Sequence, residues 1–353
     1  MEGHRIPYAF LLYVAGKIDK KKHAQPDLRQ LFISAILKSL CDTLPLWMLR
    51  FLFHLSGVCE QVINGLFFGK LRKQWCRSVS GPGWKGYLIG EDAETAEIGD
   101  GADLVVIYAH GGGFVCGGAL VSLVVFVDWI KTWKSSHGAK THIVSLEYAL
   151  SPEHSFPVAR DTLLQCYHTL VVEKGLDPSK IAFAGDSAGG NLAVVASLEL
   201  TNNPSKYSVP QPSRLLLISP VLTALKTSKS FKFNEDYDCL STQWFDLCLE
   251  NYIYNTNLLP TCPMISPLLE RRLEGLPRTW VCVGGYELFL DDIKLFVEKA
   301  RSQDVQAEIV VEENNVHNYA IVYPLSRDDG AQKAAKYMSR FIFGDQPVKR
   351  ISD

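Results

Sequence analysis

The sequence lacks the features that would assign it to the most easily read function classes. It has no excess of either charge, with 36 Lys and Arg against 38 Asp and Glu, so it carries no electrostatic footprint for nucleic acid or an anionic membrane. It has no CxxC pair. Nine cysteines, scattered and odd in number, fit reduced thiols better than a disulfide framework or a zinc site. No Walker A loop and no HExxH helix is present, and nothing calls for a metal or cofactor. Asn203 is spoiled as a glycosylation acceptor by Pro204, and internal repeats are missing. These absences lead to the expectation of a cytoplasmic globular protein whose partner is a small molecule, with the endoplasmic reticulum or a membrane surface as the alternative location.

Two apolar stretches invite a membrane reading. Residues 104–127, LVVIYAHGGGFVCGGALVSLVVFV, contain no Asp, Glu, Lys or Arg and are long enough to span a bilayer. Their glycines and His110 argue instead for a buried strand (Leu104 to Ala109), a glycine turn and a packed helix, because parallel sheets bury both faces of their strands. PYAFLLYVAG (7–16) has the length of a signal-peptide core, but Glu2 beside Arg5 is the wrong flank.

The chain divides into an N-terminal region, 1–82, and a larger one, 83–345. The first is rich in Leu, Phe and Trp with charges such as Lys38, Asp42 and Arg50 spaced along it, which predicts amphipathic helices forming a cap. LPLWMLRFLFHL (44–55) offers peripheral membrane contact as the less favoured alternative. SGPGWKG (80–86) reads as the junction. Beyond it, LVVIYA, THIVSLEY, KIAFAG, RLLLISP, TWVCVGG and AEIVVEE alternate with helical patterns. That rhythm predicts an α/β fold, a mostly parallel central sheet flanked by helices. It lapses at about 222–262, a helical, aromatic insertion after a central strand that suits a lid. Phe231, Phe233, Tyr237, Trp244, Phe245, Tyr252 and Tyr254 are its candidate pocket residues.

The chemistry concentrates in two glycine-rich turns. In KIAFAGDSAGGNLAVVA (180–196), Ser187 stands two residues from Gly185 and Gly189, between a strand ending and a helix beginning. A serine hydroxyl needs exposure and a base to become a nucleophile. A sharp strand-to-helix turn supplies the exposure, and it leaves no room for side chains two positions either side. HGGGF (110–114) ends another strand, and its glycines let backbone N–H groups approach a developing oxyanion. Gly112, Gly113 and Ala188 are therefore the expected donors. His110 is placed in a supporting role, because this arrangement presents serine, acid and histidine in that chain order. Only one histidine follows Ser187. It is His317, the candidate base. For the acid, VCVGGYELFLDDIKLF offers Glu287 just past a strand, with Asp291 as the alternative and Asp292 beside it.

HGGGF, EYALSPEHSFPVARD (147–161) and GDSAGGN (185–191) together resemble the hormone-sensitive lipase family of α/β-hydrolases, which includes bacterial esterases and arylacetamide deacetylases. The similarity covers roughly residues 83–343. It implies an α/β-hydrolase fold with Ser187 as nucleophile, His317 as base and Glu153 bracing the loops around the serine, with Asp186 beside the nucleophile. The family usually has aspartate where Glu287 stands. The resemblance implies a serine carboxylesterase that cleaves short or medium acyl esters of hydrophobic alcohols through an acyl-enzyme. An acyl-transfer or ring-forming enzyme using the same residues, or a receptor that keeps only the pocket, are the other readings that the fold allows.

Overall fold

The six apolar runs become neighbouring strands of a single sheet. The computed structural model describes residues 28–53 and 74–344. Its strands are β1 (Cys76–Gly81), β2 (Trp84–Ile89), β3 (Leu104–Ala109), β4 (Thr141–Leu146), β5 (Ile181–Asp186), β6 (Arg214–Ile218), β7 (Arg278–Gly284) and β8 (Ala307–Glu312), in the spatial order β1-β2-β4-β3-β5-β6-β7-β8. Pairs among β3 to β8 are parallel, while β1 with β2 and β2 with β4 are antiparallel.

The principal helices are α1 (Leu28–Thr43), α2 (Leu123–His137), α3 (Val158–His168), α4 (Ala188–Asn202), α5 (Thr242–Tyr252), α6 (Leu290–Ser302) and α7 (Gly330–Phe343). One face of the sheet packs under α3, α4 and α6 through residues such as Leu163, Leu192 and Phe296, and the other under α2 and α7 through Phe126, Trp129 and Met338. Every residue of β3, β4 and β5 is buried. Covering both faces is what makes these strands read as unbroken apolar runs. Each fully buried Val, Leu or Ile contributes on the order of 1.5–3 kcal/mol. The uncharged stretch 104–127 is accordingly strand β3, a turn and the start of α2, and among the described residues no helix is long and apolar enough to cross a membrane.

The expected junction at 80–86 is different in kind. Those residues form the turn of the β1–β2 hairpin, in which Gly81 pairs with Trp84. The sheet therefore begins at Cys76, ahead of the 82/83 boundary, because a short edge hairpin needs no long apolar run to be stable once β2 is paired to β4.

The insertion between β6 and β7 contains a short helix, Lys229–Phe233, and α5, whose N-cap Ser241 accepts a hydrogen bond from Trp244 N–H. Its aromatics divide by burial. Phe231 and Phe245 cluster edge-on with Phe289, Tyr252 stacks on Phe114 with ring centroids 3.6 Å apart, and Trp244 is buried. Phe233 and Tyr254 face solvent. α1 lies on this insertion and on the loop after β8, joined by Lys38 to the Glu235 carbonyl, Asp42 to Ser241, and Gln30 to the Leu325 carbonyl. Residues 7–16 and the end of 44–55 lie outside the described residues.

Candidate active site

Ser187 sits between β5 and α4 at φ 51°, ψ −117°, a backbone state that costs a non-glycine residue roughly 1–3 kcal/mol. Backbone bonds hold it there. Ser187 N–H donates to the Ile218 carbonyl at 2.9 Å, and its own carbonyl accepts from Val221 N–H at 3.0 Å and Asn191 N–H at 3.2 Å. The flanking glycines are a packing requirement, since a Cβ on Gly189 would lie 1.9 Å from the Ala109 carbonyl oxygen. Strain held by surrounding structure at a strand-to-helix turn is the nucleophile-elbow arrangement.

Beside it, the chain after β3 turns through Gly112 at φ 106° and Gly113 at φ 62°. The backbone N–H groups of Gly112, Gly113 and Ala188 donate to no partner among the described residues, leaving them available to an anion. Asp186 ties this turn to the elbow. Its Oδ1 accepts from Tyr108 Oη–H and Gly111 N–H, both at 2.8 Å, and its Oδ2 from Asn318 Nδ2 at 2.9 Å. Burial pushes its carboxyl upward, and those donors oppose the shift. His110 stacks on Tyr148 at 4.1 Å, and its Nδ1 lies 2.7 Å from the Gly111 carbonyl. Burial pushes its imidazole down, so a neutral ring donates from Nδ1 and shapes the glycine turn; it makes no hydrogen bond to Ser187.

The loops after β7 and β8 meet at the same edge. His317 Nδ1 lies 3.1 Å from Glu287 Oε2. The other carboxylate oxygen accepts from Ser219 Oγ–H at 2.6 Å and Gly284 N–H at 2.5 Å. Glu287 is fully buried, and burial raises its carboxyl despite the His317 hydrogen bond. Burial alone would lower His317, but the hydrogen bond and charge of Glu287 outweigh it and the imidazole is raised. The next residue anchors the loop at the elbow through Asn318 Nδ2 on Asp186 and Asn318 N–H on Ser219 Oγ. Ser187 Oγ and His317 Nε2 have no hydrogen-bond partner among the described residues, and neither atom is sealed from solvent. Sites without substrate often show such loose contacts, which tighten in the reacting complex.

The alternative acid goes elsewhere. Asp291 Oδ2 accepts from Ser230 N–H at 2.9 Å, and Asp292 meets Ser228 Oγ; neither is brought to His317, since α6 carries both away from the sheet edge. Glu153 reaches the loops around the serine through Arg50. Its carboxylate takes both oxygens to Arg50 at 2.8 Å, and Arg50 also donates to the carbonyls of Val115 and Ser151. The bond to Arg50 holds the Glu153 carboxyl at about 2. Glu153 therefore steadies the far end of the glycine turn through a helix at 46–53. Sequence reasoning missed Arg50 in that role, as it missed Ser219, Asp238, which accepts from His317 N–H, and Phe289, whose ring meets His317 edge-on at 5.3 Å.

A family model described as the alpha/beta hydrolase fold matches residues 106–321. The chain belongs to that family. An esterase of Acinetobacter venetianus is 34% identical over 220 residues, covering 62% of this chain and 68% of that relative. Carboxylesterase NlhH of Mycobacterium tuberculosis is 30% identical over 237 residues, covering 64% and 70%. Among solved structures, an esterase of the bacterial hormone-sensitive lipase family superposes with a TM-score of 0.71 at 25% identity, covering 91% of this α/β-hydrolase and 99% of that chain. The resemblance to hormone-sensitive-lipase-like hydrolases carried by HGGGF and GDSAGGN therefore holds for this hydrolase.

Proposed function

We propose that this α/β-hydrolase is a serine carboxylesterase in which Ser187 is the nucleophile, His317 the general base and Glu287 the carboxylate that orients it. The observation that carries the assignment of roles is the Glu287–His317 contact on the loop that Asn318 fastens to Asp186, the residue before Ser187. A carboxylate on Nδ1 fixes the tautomer with its lone pair on Nε2, the atom open to solvent and to a serine proton. As the Ser187 hydroxyl attacks an ester carbonyl, the proton passes to His317 and the oxyanion forms within reach of the Gly112, Gly113 and Ala188 N–H groups. His317 returns the proton to the leaving alkoxide, leaving an acyl-enzyme. Water activated by the same imidazole then releases the acid.

The esterase names of the relatives support this chemistry. A hydrophobic ester with a short or medium acyl chain rests on the likeness to hormone-sensitive-lipase-type esterases, because the stacked Phe114 and Tyr252 and the Phe231, Phe245 and Phe289 cluster are buried in the core. A cytoplasmic location rests on composition alone, namely cysteines without paired spacing. The test is p-nitrophenyl acetate hydrolysis under excess enzyme and excess substrate. Wild type is expected to show a burst of p-nitrophenol followed by turnover, and Ser187→Ala neither. Equal slow hydrolysis by both proteins would return the fold to the reading of a receptor.

A further inference from the structure

The insertion between β6 and β7 contributes a buried carboxylate that the ester-cleaving scheme leaves unassigned. Asp238 is 1% exposed. Its Oδ1 accepts from Cys239 N–H at 2.8 Å and from His317 N–H at 3.0 Å, and its Oδ2 accepts from Leu288 N–H at 2.8 Å. One carboxylate thus bonds the backbone of the lid, of the base and of the residue following the acid. All its polar partners donate, which suits an acceptor-only group. The same lid segment reaches the acid loop a second time, where Asn234 Nδ2 donates to the Glu287 carbonyl at 2.8 Å and the Gly285 carbonyl at 3.3 Å. Cys239 packs its thiol on the His317 carbonyl.

We infer that Asp238 is a positioning residue that sets the relative placement of Glu287 and His317 from the lid, so that assembly of the acid–base pair depends on the lid being seated. This rests on the ester-hydrolase reading of the same site. Besides Asp238, the two loops are joined by the Glu287–His317 contact, by Ser219 Oγ, which donates to Glu287 and accepts from Asn318 N–H, and by two backbone bonds, Tyr286 N–H to the Asn315 carbonyl and Gly285 N–H to the Glu312 carbonyl. Asp238 is the group that also ties both to the lid. An amide cannot replace the carboxylate. With its oxygen toward Cys239 and His317, an asparagine side chain in this place would turn its NH2 against Leu288 N–H, and with the opposite orientation against the other two donors. Either way at least one of the three backbone N–H groups loses its acceptor and the loop that carries it can shift.

The variants are Asp238→Asn and Asp238→Glu, with Asp236→Asn on the exposed neighbouring residue as control. Folding is checked by circular dichroism, and kcat, KM and the pH profile are measured with a p-nitrophenyl ester. Asp238→Asn should lower kcat by about 100-fold, the order expected for an ångström-scale misplacement, with KM changed by less than about twofold, because only the chemical step is affected. The acid limb of its profile should also move to lower pH, since the charges facing His317 are Glu287, Asp238 and Asp186 and one has been removed. Asp238→Glu keeps the charge and shifts it by a methylene, so kcat should fall while the limb stays. A folded Asp238→Asn with unaltered kcat and limb overturns the inference, as does failure of both variants to fold, which would make Asp238 a stabiliser of the fold only. An active wild type with indifferent Asp238 variants refutes this inference alone, whereas an inert wild type refutes the ester-hydrolase reading and this inference with it.

Discussion

Glu287→Gln tests the acid–base pair with almost no change of shape. The glutamine oxygen has one position dictated for it, because Gly284 N–H, 2.5 Å from Oε1, needs an acceptor and cannot face an amide NH2. Ser219 Oγ can reverse and accept, but a backbone N–H cannot. The NH2 is therefore directed at His317 Nδ1, 3.1 Å away, and the imidazole must accept there and carry its proton on Nε2. That tautomer cannot take a proton from Ser187. A wrong tautomer with intact geometry costs about 10⁴-fold in kcat, on the order of 5 kcal/mol of barrier. The pH profile gives a second reading. The base works neutral, so activity falls as pH drops through the His317 pKa, which Glu287 raises above the ordinary 6.5. Without the carboxylate, burial pushes the imidazole down against only the charges of Asp238 and Asp186, and the acid limb should move below its wild-type position. Steady-state kinetics with a p-nitrophenyl ester across the acid limb and into the alkaline plateau measures both effects. A loss of less than about tenfold with an unmoved limb, together with a large loss in Asp291→Asn, would refute the pairing.

Two further substitutions probe the surroundings. At Gly112 the backbone has φ 106°, and a Cβ would lie 2.3 Å from the Cys116 carbonyl oxygen, so Gly112→Ala should displace the glycine turn and lower kcat by about 10²–10³-fold, the loss typical of one oxyanion donor; unchanged kcat would remove the turn from the mechanism. Glu153 is held at about 2 by Arg50, below its ordinary 4.5. Its contribution to stability is therefore present above pH 4.5 and lost as pH falls through about 2. The pair is more than half exposed at the carboxylate, so it is worth at most about 1 kcal/mol. The Tm difference between wild type and Glu153→Gln should shrink steadily between pH 4.5 and about 2, and a difference that grows would place the stabilisation elsewhere.

The parts of the structure legible in the sequence are those whose physics is local. Strands β3 to β5 are buried on both faces and so are written as apolar runs, and the elbow needs glycines at fixed offsets from Ser187. His317 followed from being the one histidine after Ser187, and Glu287 from its place immediately past β7. The β1–β2 hairpin was hidden because CRSVSG carries polar residues and only Val79 is buried in it. Ser219, Asp238 and Arg50 were illegible for a different reason. Their partners are 68, 79 and 103 residues away in the chain, and nothing in a single polar residue's neighbourhood announces a partner at that distance. Within the lid, aromatic content pointed to a pocket, yet burial separated Phe231 and Tyr252 from the solvent-facing Phe233 and Tyr254.

The chemistry proposed for this site requires above all that Ser187 be activated by its surroundings. Incubating the whole protein with a fluorophosphonate, digesting it and locating the adduct by mass spectrometry measures this directly. A single adduct is expected on the peptide containing Ser187, with labelling abolished by Ser187→Ala and strongly slowed by Glu287→Gln. An unlabelled protein, or an adduct on another serine that persists in Ser187→Ala, would contradict it.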